Sequence, residues 1–278
     1  RASMNEGRLS PQQALFDVDE RGVDLPSCEH YAGSERLMQK ALALQSSDPV
    51  PRFDVTCDLD DGAPRGQEEQ HALAVAELLG STANGMRRVG VRIHEAQSEF
   101  WRRDLAIMLE HAGRELAYIT LPKANSASQV EEVDRELRKH ESQFDLGREI
   151  PLHLIIESTG AVHRTWEMLE VPRVEAAALG IIDMVASCQG ALRPEVARSP
   201  GQFEHPIAIW AKSEFSAACM STGVVATHGV TLDLSDGARS GEDAKLARDR
   251  YGFSRQISVH PKQIGPIVDA FAPEFEEV

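Results

Sequence analysis

The sequence predicts an α/β protein of the (β/α)8 TIM-barrel class, with short N-terminal and C-terminal helical extensions. Short apolar runs typical of buried strands alternate with helical patterns along the chain. Polar residues that follow the strands recur at intervals of 26 to 45 residues, and a barrel of about 250 residues needs roughly 31 per unit. An open doubly wound sheet is the alternative fold, but the glycine-rich phosphate fingerprint after its first strand is absent.

At 278 residues the chain is long enough to bury one barrel-sized core. We therefore expect a single domain over residues 1–278, with an N-terminal extension at 1–22 and a C-terminal helix and tail at 261–278. The formal charge of −15 argues against nucleic acid or an anionic membrane as the main partner. A small anionic ligand is still compatible with it, because a local basic site can exist in an acidic protein.

Three further features favour a cytoplasmic protein. No apolar run approaches the length of a membrane span, and the polar N-terminus lacks the charged-then-apolar form of a signal peptide. The four cysteines contain no Cys-x-x-Cys pair and lie in apolar surroundings, which is typical of reduced, buried thiols.

The elements can be assigned in chain order from periodicity and capping signals. The predicted strands are Val23–Tyr31, Phe53–Cys57, Arg88–Ile93, Leu116–Leu121, Ile150–Ile156, Val174–Leu179, Val224–Val230 and Gln256–Val259. The predicted helices are Pro11–Asp17, Ser34–Ala43, Glu68–Leu79, Ser98–Ala112, Ser126–His140, Ala161–Leu169, His205–Thr222 and one that begins near Pro261. Ser10 and Ser126 are placed to cap their helices, and Ser126-x-x-Gln129 fits a capping box. Ser235–Ala244 is polar and contains glycine, which indicates a loop.

Two carboxylates stand just past the ends of successive buried strands. Glu157 follows the apolar run Ile150–Ile156 directly, and Asp183 lies three residues after the glycine that ends the next strand. A buried strand has no structural use for an acid at its exit, and ligands of α/β proteins bind at this edge. Mg²⁺ prefers one or two carboxylates with water and substrate oxygens, so the pair predicts a magnesium site. For Asp183, the alternative is a helix N-cap.

Other polar residues after strands have two interpretations each. Arg92 is either a functional cation or part of a salt bridge at the rim of the barrel, and Lys123 is either functional or simply solvated. The acidic cluster Asp58, Asp60 and Asp61 could bind a cation or form an Asp-rich turn. His228 and His260 also follow strands, and His260-Pro261 could cap the last helix. A nucleophile elbow, zinc-ligand spacing and a phosphate-binding loop are all missing.

An ordered set of motifs resembles the HpcH/HpaI aldolase superfamily, on the side of the citrate lyase beta-subunit-like and malyl-CoA or citramalyl-CoA lyase proteins. Each motif is weak alone, but their order and spacing from about residue 27 to 273 are fairly specific. The motifs are Cys57-Asp58-Leu59-Asp60-Asp61, Val91-Arg92-Ile93-His94, Leu121-Pro122-Lys123, Ile156-Glu157, Gly180 to Asp183, and Val259-His260-Pro261-Lys262-Gln263-Ile264.

The resemblance implies a Mg²⁺-dependent carbon–carbon lyase, with Mn²⁺ as an alternative metal. Glu157 and Asp183 would hold the metal, and Arg92 would bind the substrate and stabilise enolate charge, so that these three would be the catalytic residues. Asp58, Asp60 and Lys123 would join Arg92 in substrate binding. The substrate would be a small hydroxy- or oxo-acid or its coenzyme A thioester. The resemblance also implies a homo-oligomer, trimeric or hexameric, and the apolar segment Ile264–Phe271 is a candidate for its interface.

The sequence departs from the family pattern in several places. Leu25–Gly33 replaces the opening motif and lacks its anion-binding arginine, His94 replaces the usual Asn, and Thr227-His228 stands in place of Ile-Asp. Thioester lyases of this group continue into a helical segment that supplies an acid to a neighbouring subunit, whereas this sequence ends soon after Pro273. We therefore expect low activity on coenzyme A thioesters. Two alternatives remain open, a thioester hydrolase that uses the same metal and a metabolite-binding barrel without turnover.

Overall fold

The computed structural model describes residues 25–47, 52–235 and 237–272. In this part of the chain, eight parallel strands pair in sequence order and close into a barrel, so the predicted (β/α)8 fold is confirmed. The strands are β1 Cys28–Ala32, β2 Asp54–Asp58, β3 Val89–Arg92, β4 Ile119–Leu121, β5 Leu152–Ile156, β6 Val174–Leu179, β7 Val225–His228 and β8 Arg255–Ser258.

Helices surround the barrel and connect successive strands. They are α1 Glu35–Gln45, α2 Glu68–Gly80, α3 Trp101–Ala112, α4 Ala127–Gln143, α5 Thr159–His163, α6 Thr165–Leu169, α7 Ile181–Ser187, α8 Gly201–Glu204, α9 Pro206–Thr222, α10 Gly237–Tyr251 and α11 Pro261–Phe271, with a 3-10 turn at Pro194–Ala197. The main core lies between strands and helices, because apolar residues of both are buried there. Every residue of β5 is buried, as expected for a parallel strand covered on both faces.

Most predicted elements match the observed ones to within a few residues. The segment Ser235–Ala244 is different: the prediction of a loop is wrong, because helix α10 begins at Gly237. Its inner face carries small and polar residues, and the pattern therefore does not look amphipathic. Those polar groups are nevertheless paired: Thr231 Oγ1 donates to Asp243 Oδ2 at 2.7 Å, and Gln256 Nε2 donates to the carbonyl oxygen of Ser240 at 3.3 Å. The predicted helix Pro11–Asp17 lies outside the described residues.

The predicted helix Ala161–Leu169 is two short helices. The break is at Arg164, which ends α5 and precedes α6. Its guanidinium Nε donates to the carbonyl oxygen of Asn125 at 2.6 Å, so the side chain ties this break to the loop after β4. Helix α7, which follows β6 directly, places Asp183 in its first turn, where Gly180 rather than Asp183 is the N-cap.

The C-terminal helix α11 packs on its own barrel. Ile264 and Ile267 are buried in the main core, and the helix contacts α10, β1 and β8. His260 is its N-cap and forms a capping box with Gln263, which confirms the capping interpretation of His260-Pro261. Because the apolar face of this helix is already covered, it provides no argument for an interface with another copy. The homo-oligomer stays a prediction.

Two chain-wide expectations can be compared with the described residues. No helix among them combines the length and the apolar character needed to cross a membrane. All four cysteines are free; Cys28, Cys57 and Cys219 are buried and Cys188 is partly buried.

Candidate active site

A cavity of about 440 Å³ opens at the C-terminal mouth of the barrel. It brings together four of the predicted site residues, namely Asp58, Arg92, Glu157 and Asp183. Asp58 and Arg92 are the last residues of β2 and β3, Glu157 directly follows β5, and Asp183 lies in the first turn of α7. Because parallel strands all end at this edge, residues far apart in sequence converge there.

Glu157 and Asp183 form a carboxylate pair. They are close enough to share a hydrogen bond; Glu157 is 6% exposed, whereas Asp183 is open to the cavity. Burial, together with the negative charge and the hydrogen bond of Asp183, raises the pKa of Glu157 to about 8. A divalent cation between the two carboxylates would relieve both the burial cost and the repulsion. The residues present therefore fit a magnesium ion with two protein carboxylates.

The backbone of Lys123 holds Glu157 in place. The amide N–H of Lys123 donates to Glu157 Oε1 at 3.2 Å. Lys123 has φ of 51°, a left-handed conformation that is uncommon for a residue other than glycine, and such strain clusters at functional sites. The Lys123 ammonium pairs with Asp60 at 3.5 Å and with Asp61 at 3.2 Å. It thereby connects the loop after β4 to the loop after β2.

Arg92 is held by a two-point interaction with Asp58. Its Nε donates to Asp58 Oδ1 at 2.7 Å and its Nη2 donates to Oδ2 at 2.6 Å. The same carboxylate accepts the backbone N–H groups of Asp60 at 3.0 Å and Gly62 at 2.7 Å. Burial acts to lower the pKa of Arg92, but the hydrogen bonds and charge of Asp58 outweigh it and raise that pKa. The guanidinium carbon also lies 5.3 Å from the centre of the Tyr31 ring.

Gly180 leaves room for the Glu157 side chain. A Cβ at position 180 would lie 2.7 Å from Cγ of Glu157 and 3.2 Å from Cγ2 of Ile155. Glycine is thus required at the end of β6 if Glu157 is to keep its present position.

One wall of the cavity is apolar, and the sequence patterns did not predict it. Ile155, Ala178 and Ile257 form a buried cluster separate from the main core, with Tyr31 and Val230 packed against it. All of these except Ala178 line the cavity. The available signal was that Tyr31, Val230 and Ile257 lie at or just after strand ends, as the charged residues do.

A second cavity of about 340 Å³ is also lined by the carboxylate pair. Glu157 and Asp183 therefore border both cavities. Lys123 lines this second cavity. The other polar residues that line it are Gln97, Asn125, Ser158 and Ser187.

Three histidines that follow strands in the sequence do not line the cavity. His94 Nδ1 lies 2.7 Å from Asp104 Oδ2. His228 is fully buried, with Nδ1 3.2 Å from Gln256 Oε1, and His260 caps helix α11. Among the described residues, no cluster of three or more His, Cys, Asp or Glu side chains could hold a metal ion. Two carboxylates, as in the Glu157 and Asp183 pair, are a common protein ligand set for Mg²⁺.

Residues 33–261 match the HpcH/HpaI aldolase/citrate lyase family. The chain belongs to this family. This confirms the resemblance inferred from the motifs, and the chain is a carbon–carbon lyase of the aldolase type.

Several known proteins are similar to the chain. A crystal structure of a citrate lyase from Burkholderia xenovorans LB400 shares 43% identity, covers 92% of this chain and 80% of its own, and superposes with a TM-score of 0.88. An L-malyl-CoA/beta-methylmalyl-CoA lyase of Cereibacter sphaeroides is 27% identical over 88% of this chain and 78% of its own length. A citrate lyase beta subunit of Mycobacterium tuberculosis, complexed with oxaloacetate and magnesium, has the same fold, with a TM-score of 0.71, 22% identity, and coverage of 90% of this chain and 98% of its own.

Proposed function

We propose that this family member is a Mg²⁺-dependent lyase that makes or breaks a C–C bond next to a carbonyl of a small hydroxy- or oxo-acid, as the free acid or as its coenzyme A thioester. The observation that carries the proposal is the adjoining carboxylate pair, Glu157 and Asp183, in one cavity with Arg92. The magnesium in a relative of the same fold supports it, as does the malyl-CoA lyase activity named for another relative.

Glu157 and Asp183 are the proposed metal ligands. Magnesium bound there would supply Lewis-acid polarisation of the substrate carbonyl and bind its carboxylate. The Lys123 N–H fixes the orientation of Glu157, so that one ligand is held before the metal arrives. Mn²⁺ has similar oxygen-ligand chemistry and is expected to substitute for Mg²⁺.

Arg92 is the proposed substrate-binding and charge-stabilising residue. Its Nε and Nη2 are engaged with Asp58, which leaves Nη1 outside this two-point interaction. Because the guanidinium is fixed before the substrate binds, its charge is available without reorganisation when negative charge develops on oxygen. We assign Asp58 to positioning Arg92. Asp60 and Lys123 link the loops at the mouth, and their predicted part in substrate binding stays a proposal.

The reaction needs few groups from the protein. In the cleavage direction, the C–C bond next to the hydroxyl-bearing carbon breaks. The hydroxyl group loses its proton, and the carbon that bears it becomes the carbonyl carbon of a 2-oxo acid. The bond electrons move onto the other fragment as an enolate, which then takes up a proton. Negative charge therefore grows on oxygen, where Arg92 lies.

An NMR assay of condensation and cleavage tests the proposal. The purified protein would be incubated with oxaloacetate, glyoxylate or pyruvate and with acyl-CoA esters, in the presence of Mg²⁺, Mn²⁺ or a chelator. We expect new C–C bonds with either metal and none with the chelator. Glu157→Gln and Asp183→Asn should abolish turnover. Glu132→Gln, on the outer surface with a side chain 43% exposed, should not affect it.

Two results would redirect the assignment. Thioester conversion to free acid and coenzyme A with an unchanged carbon skeleton would indicate a hydrolase. Turnover that is unaffected by the chelator would contradict the role of the metal. The homo-oligomer and the cytoplasmic location remain part of the proposal and await light scattering and cell fractionation.

A further inference from the structure

The cavity at the mouth of the barrel has a charged side and an apolar side. Its charged side carries the carboxylate pair and the Arg92–Asp58 pair, and its other side is the apolar wall of Tyr31, Ile155, Val230 and Ile257. The apolar wall continues outward to Leu37 and Val259, whose relative exposures are 44% and 43%. Large exposed apolar side chains around a cavity mark a surface that a ligand or partner covers.

The charged groups of the cavity favour binding of one substrate carboxylate, but not of two. Among the described residues that line it, Arg92 is the only cationic side chain, and Asp58 engages its Nε and Nη2. The other charged groups there, Asp61, Glu157 and Asp183, are acids. A Mg²⁺ ion between Glu157 and Asp183 would bind one substrate carboxylate. A second carboxylate on the same substrate would face the apolar wall or another acid, which is costly without a cationic partner.

We infer that the substrate fragment bound here is a 2-oxo acid with an apolar side chain, branched or linear, of about three to five carbons. Its carboxylate and carbonyl would point to the carboxylate pair and Arg92, and its side chain would lie against Tyr31, Val230 and Ile257. This inference rests on the proposed function, because the metal site anchors the carboxylate. The volume of about 440 Å³ exceeds the needs of a two- or three-carbon acid and is within the range of small-molecule sites.

The test is a binding series on the intact protein with saturating Mg²⁺, measured by isothermal titration calorimetry. Oxaloacetate and 4-methyl-2-oxopentanoate form a matched pair, because their side chains have the same number of non-hydrogen atoms and differ in charge. Pyruvate and glyoxylate give the baseline. Each buried methylene raises affinity about fourfold. We therefore expect 4-methyl-2-oxopentanoate to bind at least about tenfold more tightly than pyruvate, and oxaloacetate no more tightly than pyruvate.

A substitution in the wall should reverse the preference. Val230 is only half-buried, so a lysine can be accommodated there. Val230→Lys would supply the missing cation and should increase the affinity for oxaloacetate at least about tenfold while it weakens binding of 4-methyl-2-oxopentanoate. Leu73→Lys is the matched control: this leucine is 42% exposed, lies on helix α2 and does not line the cavity, so the ranking should not change.

The outcomes separate the inference from the proposed function. Tighter binding of oxaloacetate than of 4-methyl-2-oxopentanoate by the unsubstituted protein would overturn the inference alone. So would a gain in affinity that comes only with a pantetheine-type thioester and not with the alkyl 2-oxo acids. Failure of every oxo acid to bind in the presence of Mg²⁺ would overturn the proposed function and the inference together. The wild-type series decides the question even if Val230→Lys does not fold.

Discussion

Asp58→Asn tests the interaction that holds Arg92 at the mouth of the barrel. Both carboxylate oxygens of Asp58 accept two donors each: Oδ1 accepts from Arg92 and Asp60, and Oδ2 accepts from Arg92 and Gly62. Asparagine keeps one acceptor oxygen, but its amide NH₂ would face two N–H donors. The pair is well buried, with side-chain exposures of 14% for Arg92 and 4% for Asp58.

The expected cost follows from that burial. Removal of one partner from a buried charge pair costs about 3 kcal/mol or more, because the remaining charge is left without compensation. For a protein of this size, about 3 kcal/mol corresponds to a fall in Tm of roughly 6–12 °C. The control is Asp61→Asn in the same loop. Its ion pair with Lys123 is half-exposed, with Asp61 at 48%, so its loss should cost less than about 1 kcal/mol.

The assay is urea unfolding followed by circular dichroism, combined with turnover. We expect Asp58→Asn to be much less stable than Asp61→Asn and to lose turnover because Arg92 becomes mobile. The double variant Asp58→Asn/Arg92→Met should be more stable than Asp58→Asn alone, since it removes the uncompensated charge. Equal stability of the Asp58→Asn and Asp61→Asn proteins would refute the claim that Asp58 is the fixed partner of Arg92.

Three further predictions concern other positions. Arg92→Lys keeps the charge but loses the planar fork, so kcat should fall about 100-fold or more; near-normal kcat would reduce Arg92 to a rim salt bridge. Gly180→Ala should displace Glu157 and weaken Mg²⁺ binding, measured by calorimetry, at least about tenfold. The control Gly265→Ala, which has open space around the added Cβ, should bind Mg²⁺ like the wild type. Equal Mg²⁺ affinities of the two variants would contradict this prediction. Burial lowers the pKa of Lys212 from 10.5 to about 7. Between these two pH values the unfolded state binds more protons than the folded state, so the free energy of unfolding should rise with pH. By urea unfolding, that rise should be about 2 kcal/mol from pH 7 to 9 and should be smaller in Lys212→Met.

The barrel could be predicted from sequence because its signals are local and repeated. Each strand is a short apolar run, and a polar residue stands at or just after the end of seven of the eight, so Asp58, Arg92, Glu157 and Asp183 could be placed at one edge of the barrel from the sequence alone. Helix α10 could not be predicted, because its buried face relies on hydrogen bonds from distant residues rather than on apolar periodicity.

The chemistry of the site was only partly predictable. Arg92 and Asp58 could be placed at strand ends 34 residues apart, but their pairing could not be predicted. That pairing depends on the register of β2 and β3, where Asp58 and Arg92 lie opposite each other, and register is a long-range property. The apolar wall was missed for a similar reason, since Tyr31 and Ile257 look like ordinary strand residues until the barrel closes. The ligand that the loops bind depends on side chains that come together only in the closed barrel.

Calorimetric titration of Mg²⁺ tests the central claim most directly, because it measures the metal site without assuming a substrate. The wild-type protein should bind one Mg²⁺, and Glu157→Gln and Asp183→Asn should each weaken that binding by at least about tenfold. Glu110→Gln removes an acid whose side chain is 55% exposed on the outer helix α3 and should bind Mg²⁺ like the wild type. Mg²⁺ binding that is unchanged in both Glu157→Gln and Asp183→Asn would contradict the account.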